Sequence, residues 1–379
     1  MAVGIICEYN PFHNGHIYHL EKVKEIAKNE EIVLILGGNF TQRGGISIIE
    51  KYDKAKLALE YGVDLVVELP FEFSTQSSDI FAKGAITLLH LLKCNKIIFG
   101  SESNNIDLLE KLADVQLNDK RYNELVKKEL DKGLNYPTAM SKALKEITHK
   151  TVNEANDILG LSYIKEIIKN NYNIEPISIK RTNNYNEVKL NGSINSARSI
   201  RKALSEGKEI STSVPKESEE LINKIEENKL IDLLKYKIIT DNELSKYLTV
   251  DEGLDNKLKK EIHSAKTIEE LIESVKSKRY TYNKISRMLT HILCSYTKEE
   301  NQKHQKINYI RILGFTTKGK NYLNKIKKNT TVPIISNITK ENINLLNLEL
   351  RVDSIYNLIT KRNDNLFEKK PIIINSSKM

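Results

Sequence analysis

Residues 32–36 read Ile32-Val33-Leu34-Ile35-Leu36, five apolar side chains without a break. A run that short and that continuous suits a strand covered on both faces, as in a parallel sheet. Asp64-Leu65-Val66-Val67-Glu68-Leu69-Pro70 repeats it and stops at a proline, which has no N–H for a ladder. Val3-Gly4-Ile5-Ile6-Cys7, Lys96-Ile97-Ile98-Phe99-Gly100 and Pro176-Ile177-Ser178-Ile179-Lys180 are further expected strands. Helical patterns separate them, over 49–61, over 78–92 and as two or three helices within 105–170. This alternation predicts an α/β fold built on a doubly wound parallel sheet.

The first strand runs directly into Glu8-Tyr9-Asn10-Pro11-Phe12-His13-Asn14-Gly15-His16, and a helix follows with Ile17, Leu20, Val23 and Ala27 on its apolar face. In such a sheet this is where ligand phosphates meet the positive end of a helix. Imidazoles there could donate to developing phosphoryl charge. Gly15 would let phosphate approach the backbone, and Pro11 stiffens the turn. The competing reading is a pair of capping or metal-binding histidines. A second candidate is Ser196-Ala197-Arg198-Ser199-Ile200-Arg201, with Ser196 as the N-cap of a helix through Leu204.

Length suggests two or three domains. The expected boundaries are a catalytic domain over 1–204, a polar linker over 205–220, and a mainly helical domain over 221–379. Charge supports the division. Residues 1–200 carry 25 Lys and Arg against 26 Asp and Glu, whereas 201–379 carry 34 against 24, so the whole excess of +9 lies in the second half. A basic half beside a neutral one points to a polyanion partner. Within it, Lys276, Lys278, Arg279, Tyr280 and Tyr282 interleave base-stacking and phosphate-neutralising side chains. The helix that follows places Ile285, Met288, Leu289, Ile292 and Leu293 on one face, and Lys284, Arg287 and His291 on another. Tyr309-Ile310-Arg311-Ile312-Leu313 is the one strand expected in this half, and the tail from Lys369 is expected to be loose at its end. Gly314-Phe315-Thr316-Thr317-Lys318-Gly319-Lys320-Asn321 nearly spells a P-loop, but Asn321 stands where a Ser or Thr must bind magnesium.

No run of 18 apolar residues occurs, so no spanning helix is expected, and Glu8 comes too early for a signal-peptide core. Cys7, Cys94 and Cys294, sparse and odd in number, suit a reducing cytoplasm. No metal site is read from the sequence, and no protein partner.

His13-Asn14-Gly15-His16 after a first strand resembles the signature of the nucleotidylyltransferase superfamily, as does the Ser196–Arg201 helix start. The longer segment from Glu8 to His16 is similar, more narrowly, to the bacterial tRNA(Met) cytidine acetate ligase family. Supporting blocks are Gly38-Asn39-Phe40-Thr41-Gln42-Arg43-Gly44, Phe99-Gly100-Ser101-Glu102 and Asn156-Asp157-Ile158-Leu159-Gly160. The resemblance implies a nucleotidylyltransferase-like catalytic domain that activates acetate with ATP and acetylates the wobble cytidine of elongator methionine tRNA. It implies His13 and His16 as catalytic residues. It further implies ATP contacts at Cys7, Glu8, Tyr9, Asn10, Pro11, Phe12, Asn14, Gly15, Ile17, Tyr18, His19 and Leu20, and at Gly100, Asn156 and Arg181. Ser196 and Arg201 would hold phosphates, with Mg2+ assisting. The sequence departs from that family at Ala155, often proline, and at Asp157, commonly a second asparagine. Gln42 and Arg43 are candidates for an acetate pocket or a moving lid. The alternatives are a small-metabolite adenylyl- or cytidylyltransferase, and a non-catalytic RNA-binding protein.

Overall fold

The computed structural model describes residues 1–181, 190 and 192–375. Each apolar run is a strand. β1 (Ala2–Cys7) leads into α1 (Asn14–Ala27), β2 (Glu31–Gly37) into α2 (Lys51–Glu60), and β3 (Leu65–Leu69) into α3 (Phe71–Ser74) and α4 (Ser78–Leu91). After β4 (Cys94–Ser101) come α5 (Ile106–Asn118), α6 (Lys120–Asp131), α7 (Tyr136–Thr148) and α8 (Ala155–Lys169), then β5 (Glu175–Lys180) and α9 (Ala197–Ser205). Four helices therefore fill the stretch where two or three were expected. Asp119 both ends α5 and caps α6, its carboxylate accepting from the Arg121 N–H, so no glycine or proline marks the joint.

These five strands lie in the order β5-β4-β1-β2-β3, all parallel. The chain winds one way from β1 through β2 to β3 and the other way from β4 to β5. The crevice at that reversal, beyond the carboxyl ends of β1 and β4, is where such sheets bind ligands. One face of the sheet packs Leu20 and Val23 of α1 and Ala55 and Leu59 of α2. The other packs Phe81, Ala85 and Leu89 of α4 and Leu161 and Ile164 of α8.

The second half continues with α10 (Lys216–Glu220), α11 (Glu227–Thr240), α12 (Leu254–Glu261), α13 (Ile268–Val275), α14 (Tyr282–Leu293) and α15 (Lys298–Lys303). Then follow β6 (Ile310–Thr316), α16 (Thr317–Ile326), β7 (Ile334–Ile335), α17 (Asn347–Thr360) and β8 (Ile372–Ile374). The expected strand is β6, and it runs antiparallel to β3 in the same sheet, with β7 and β8 parallel beside it. It belongs there because both its faces are apolar: Ile312 packs on one side of the sheet and Leu313 on the other. β8 lies within the tail from Lys369, and the end of that tail, residues 376–379, lies outside the described residues. The P-loop resemblance dissolves as well. Gly319 sits in the first turn of α16, where a Cβ would come within 1.8 Å of the Asp64 carbonyl oxygen, leaving no room for phosphate.

Residues 205–220, expected as a linker, pack closely. Ile210 and Val214 bury against Ile200 and Ala203 of α9. The Asn14 amide donates to the Ser213 carbonyl (3.0 Å) and Ser218 Oγ to the Phe12 carbonyl (2.7 Å), so this segment straps the histidine turn. The helical core of the second half joins Leu234, Ile238, Leu271, Ile285, Ile292 and Tyr356 to Phe40 and Phe71 of the first.

Candidate active site

The turn after β1 is shaped by its own histidines. His13 is the N-cap of α1, and its Nδ1 accepts from the Gly15 amide (3.0 Å). His16 reaches back, and its Nδ1 accepts from the His13 amide (3.2 Å). The two satisfy one another's orphan amides as a capping box does. A Ser, Thr or Asp would cap as well, so capping alone does not select two imidazoles. With both Nδ1 atoms accepting, each neutral ring carries its proton on Nε2. The rings stack at 3.7 Å between centroids, and Tyr9 lies edge-on to His16 at 4.6 Å.

Burial, then the charges of Arg181 and Arg201, lower the His13 pKa to about 3. Burial, then His13, His19 and Arg181, hold His16 well below the usual range. Burial and Arg181 bring His19 to about 4. All three are therefore neutral donors at neutral pH, in a field already positive. Burial raises the Cys7 thiol to about 12, so it stays protonated. His19 Nε2 and Arg181 Nε are buried and have no hydrogen-bond partner among the described residues. Two orphaned buried nitrogens beside one crevice fit an absent acceptor such as phosphate.

These groups line a cavity of about 1280 Å³. Of the expected ATP contacts, Cys7, Glu8, Tyr9, Asn10, Gly15, Tyr18 and His19 line it with His13 and His16, as do Gly100, Asn156, Arg181, Ser196 and Arg201. The others do not, for identifiable reasons. Phe12 and Leu20 are in the core, and Ile17 packs partly buried against it. Pro11 is buried beside Phe12. Asn14 turns away, its Nδ2 donating to the carbonyls of Ser193 (2.9 Å) and Thr212 (3.0 Å).

Another part of the lining is organised by Glu102, which the sequence placed in a matching block without giving it a role. Glu102 accepts from Asn156 Nδ2 (2.5 Å) through one oxygen and from the Asp157 amide (3.0 Å) through the other, and lies 3.8 Å from Arg181 Nε. Asp157, at the family departure, is buried and takes Ser101 Oγ and the amides of Glu102 and Ser103. Its extra negative charge serves the end of β4. Ser196 caps α9 by accepting from the Ser199 amide (3.1 Å), and the Arg201 guanidinium donates to the Asn10 carbonyl.

Gln42 and Arg43 also line the cavity. The Gln42 amide donates to Glu8 Oε1 (2.6 Å) and its side chain to the Gln76 carbonyl (2.6 Å). Gly44 has φ +84° and lies flat on α14, where a Cβ would meet the Arg287 amide at 2.5 Å. Thr290 Oγ1 of α14 donates back to the Gly44 carbonyl (2.5 Å).

The second half contributes Ile268, Ile272, Tyr282, Asn283 and Ser286 of α13 and α14 to the same cavity. Nearby, Lys276, Lys278 and Arg279 are exposed, with Arg279 paired to Glu252 at 2.7 Å. Two residues of the expected basic, aromatic face are placed otherwise. Tyr280 is buried, its hydroxyl donating to Glu252 (2.6 Å) and its ring covered by the Lys284 ammonium at 4.4 Å. His291 is fully buried, with Nε2 2.9 Å from the Thr75 carbonyl oxygen, because α14 is covered on that side by the α3–α4 turn. Among the described residues no group of three or more His, Cys, Asp or Glu could hold a metal ion.

The profile of the HIGH Nucleotidyl Transferase family matches residues 1–370. The tRNA(Met) cytidine acetate ligase of Geobacillus sp. is 38% identical over 357 residues, covering 89% of each chain. That of Clostridium acetobutylicum is 38% identical over 399 residues, covering 98% of this chain and 99% of its own. The crystal structure of Thermotoga maritima TmcAL superposes with a TM-score of 0.91 at 29% identity, covering 99% of this chain and all of that one. TmcAL bound with alpha-thio ATP superposes at 0.89, with the same identity and coverage.

Proposed function

The chain belongs to the HIGH nucleotidyl transferase family and to the tRNA(Met) cytidine acetate ligases, and from that membership we propose that its cavity activates acetate with ATP and passes the acetyl group to a tRNA cytidine. The observation that carries this reading is the shared cavity. The histidine turn lines one part of it, and α13 and α14 of the basic half line another. A small-metabolite transferase has no use for α13 and α14 there, and a non-catalytic RNA binder has none for the histidine turn.

In the first step an acetate oxygen attacks the α-phosphorus of ATP. The bond to the bridging oxygen breaks and pyrophosphate leaves. The Nε2–H groups of His13 and His16 donate to the charge that develops, without needing to titrate. Arg181, with Arg201 and the start of α9, holds the phosphates. Asn156, turned by Glu102, is set to read the nucleoside. In the second step the exocyclic amine of the wobble cytidine attacks the acetyl carbonyl, the bond to AMP breaks, and the amine loses a proton. The protonated thiol of Cys7 agrees with direct transfer, with no acyl-enzyme.

An unpaired base has to leave the anticodon stack to enter. Tyr282, exposed at the cavity rim, is placed to stack on it, and Lys276, Lys278 and Arg279 to meet phosphates. Magnesium would arrive on the phosphate oxygens of the nucleotide itself, because the nearby carboxylates of Glu8 and Glu102 are engaged by Gln42 and Asn156. No helix among the described residues is long and apolar enough to cross a membrane. A cytoplasmic tRNA enzyme is the setting this reading implies.

The test is incubation with ATP, acetate and elongator methionine tRNA. AMP release that requires both acetate and tRNA, with N-acetylated cytidine in the product, is the expected result. Turnover only with a phosphorylated small acceptor favours the metabolite transferase, and no turnover the RNA binder.

A further inference from the structure

Lys54 of α2 is buried at 1% exposure beneath the strand ends that carry the site. A lysine in such a place normally faces a carboxylate. Here Nζ donates to three main-chain carbonyl oxygens, those of Glu8 (3.0 Å), Gly37 (2.8 Å) and Gly38 (2.7 Å). An ammonium has three N–H donors, so all are used.

The three acceptors are not scattered. Glu8 directly follows β1, Gly37 ends β2, and Gly38 opens the loop that runs to Arg43. Glu8 lines the cavity, and its carboxylate takes the Gln42 amide of the neighbouring loop. One buried cation thus ties the histidine turn to the Gln42–Arg43 loop through the main chain and side chain of Glu8. We propose that Lys54 is a positioning residue for the reaction, fixing Glu8 so that the loop carrying Gln42 and Arg43 closes the cavity in register with the histidine turn. This rests on the adenylate-forming reading for its kinetic consequence, though not for its structural one.

Burial is the main influence on the Lys54 ammonium and brings its pKa down to about 8, against the opposing pull of Glu8, Glu50 and Glu68; Lys51 adds repulsion. Deprotonation leaves a neutral amine with two N–H donors for three carbonyls. One tie is then lost, within the working range of an enzyme.

The test compares wild type, Lys54→Met and Lys54→Arg in acetate-dependent exchange of pyrophosphate into ATP, across pH 6.5–9.5. Wild-type exchange should fall above about pH 8. Lys54→Met should lose about 10- to 100-fold in kcat, with KM for ATP changed less than about threefold, and should show no basic limb. Lys54→Arg keeps its charge at all these pH values. It should recover most of the rate, with the limb shifted upward. Amide hydrogen exchange read on the folded proteins, without substrate, supplies the second measurement. In Lys54→Met, exchange over residues 41–45 should rise while that of α4 stays unchanged. Unaltered exchange of that loop would overturn the inference, as would wild-type kcat in a folded Lys54→Met. Failure of the wild type to exchange pyrophosphate would instead remove the adenylate reading, leaving the loop measurement to decide the role of Lys54.

Discussion

Lys51 and Asp353, from opposite halves of the chain, meet with Nζ 2.5 Å from Oδ2, both side chains all but fully buried. Lys51 also holds Glu68 at 2.6 Å, and Arg311 lies 3.4 Å from Glu68 and 3.9 Å from Asp353. Two cations and two anions thus balance between α2, β3, β6 and α17. Removing one member leaves an uncompensated buried charge, which typically costs about 3–5 kcal/mol. Asp353→Ala should therefore destabilise the protein by that amount in urea unfolding. A loss under about 1 kcal/mol would mean that the cluster does not hold the halves together.

The two roles of His13 separate by substitution. Asparagine caps helices well, so His13→Asn should keep the fold while removing the Nε2 donor. Losing one preorganised donor costs about 100- to 1000-fold in rate. Pyrophosphate exchange should fall by that factor in His13→Asn and in His16→Ala, with tRNA binding within about threefold of wild type. Equal loss of tRNA binding would count against the division of labour.

Acid should weaken the fold early. Burial holds His13 at about 3 and His291 at about 4, both below the unfolded value of 6.5. Between those limits the unfolded chain binds the extra protons, so stability is full above pH 6.5 and is lost as pH falls toward 4. Each group contributes roughly 1.4 kcal/mol per pH unit in that window. Urea midpoints at pH 7 and pH 5.5 should differ clearly, and a flat profile would show these imidazoles to be unperturbed.

Replacing Lys278 and Arg279 by glutamine should weaken tRNA binding and flatten its dependence on salt, by up to about one unit of slope per lost contact. Exchange of pyrophosphate into ATP should not change. Filter binding across a salt series reads both. A slope equal to wild type would move the tRNA surface elsewhere.

Much of this was legible in residue order. One unbroken apolar run announced β2, short apolar-rich segments alternating with helical patterns announced β1, β3, β4 and β5, and the histidine turn was placed at the crevice by its strand-then-helix context. What escaped was decided by contacts distant in sequence. Nothing local marks Glu102 as the hinge between Asn156 and Arg181, or Lys54 as the tie beneath Glu8. Helical spacing put His291 with Lys284 and Arg287, because periodicity does not register that α14 is covered on a second side. Two- and three-residue strands such as β7 and β8 are too short for any period to appear. Tyr280 carried the right chemistry for stacking, and a tertiary partner, Glu252, had already taken it.

The antiparallel strand between β3 and the short strands β7 and β8 has a consequence for how this polypeptide is made. During synthesis β3 leaves the ribosome with one side of its ladder bare, and its partner, residues 310–316, is still untranslated. An apolar strand with an open side is a template for the wrong neighbour. The nascent protein must either shield that margin or delay its final assembly until β6 has emerged, so a stop codon anywhere in the intervening helices would release a sticky fragment rather than a working half.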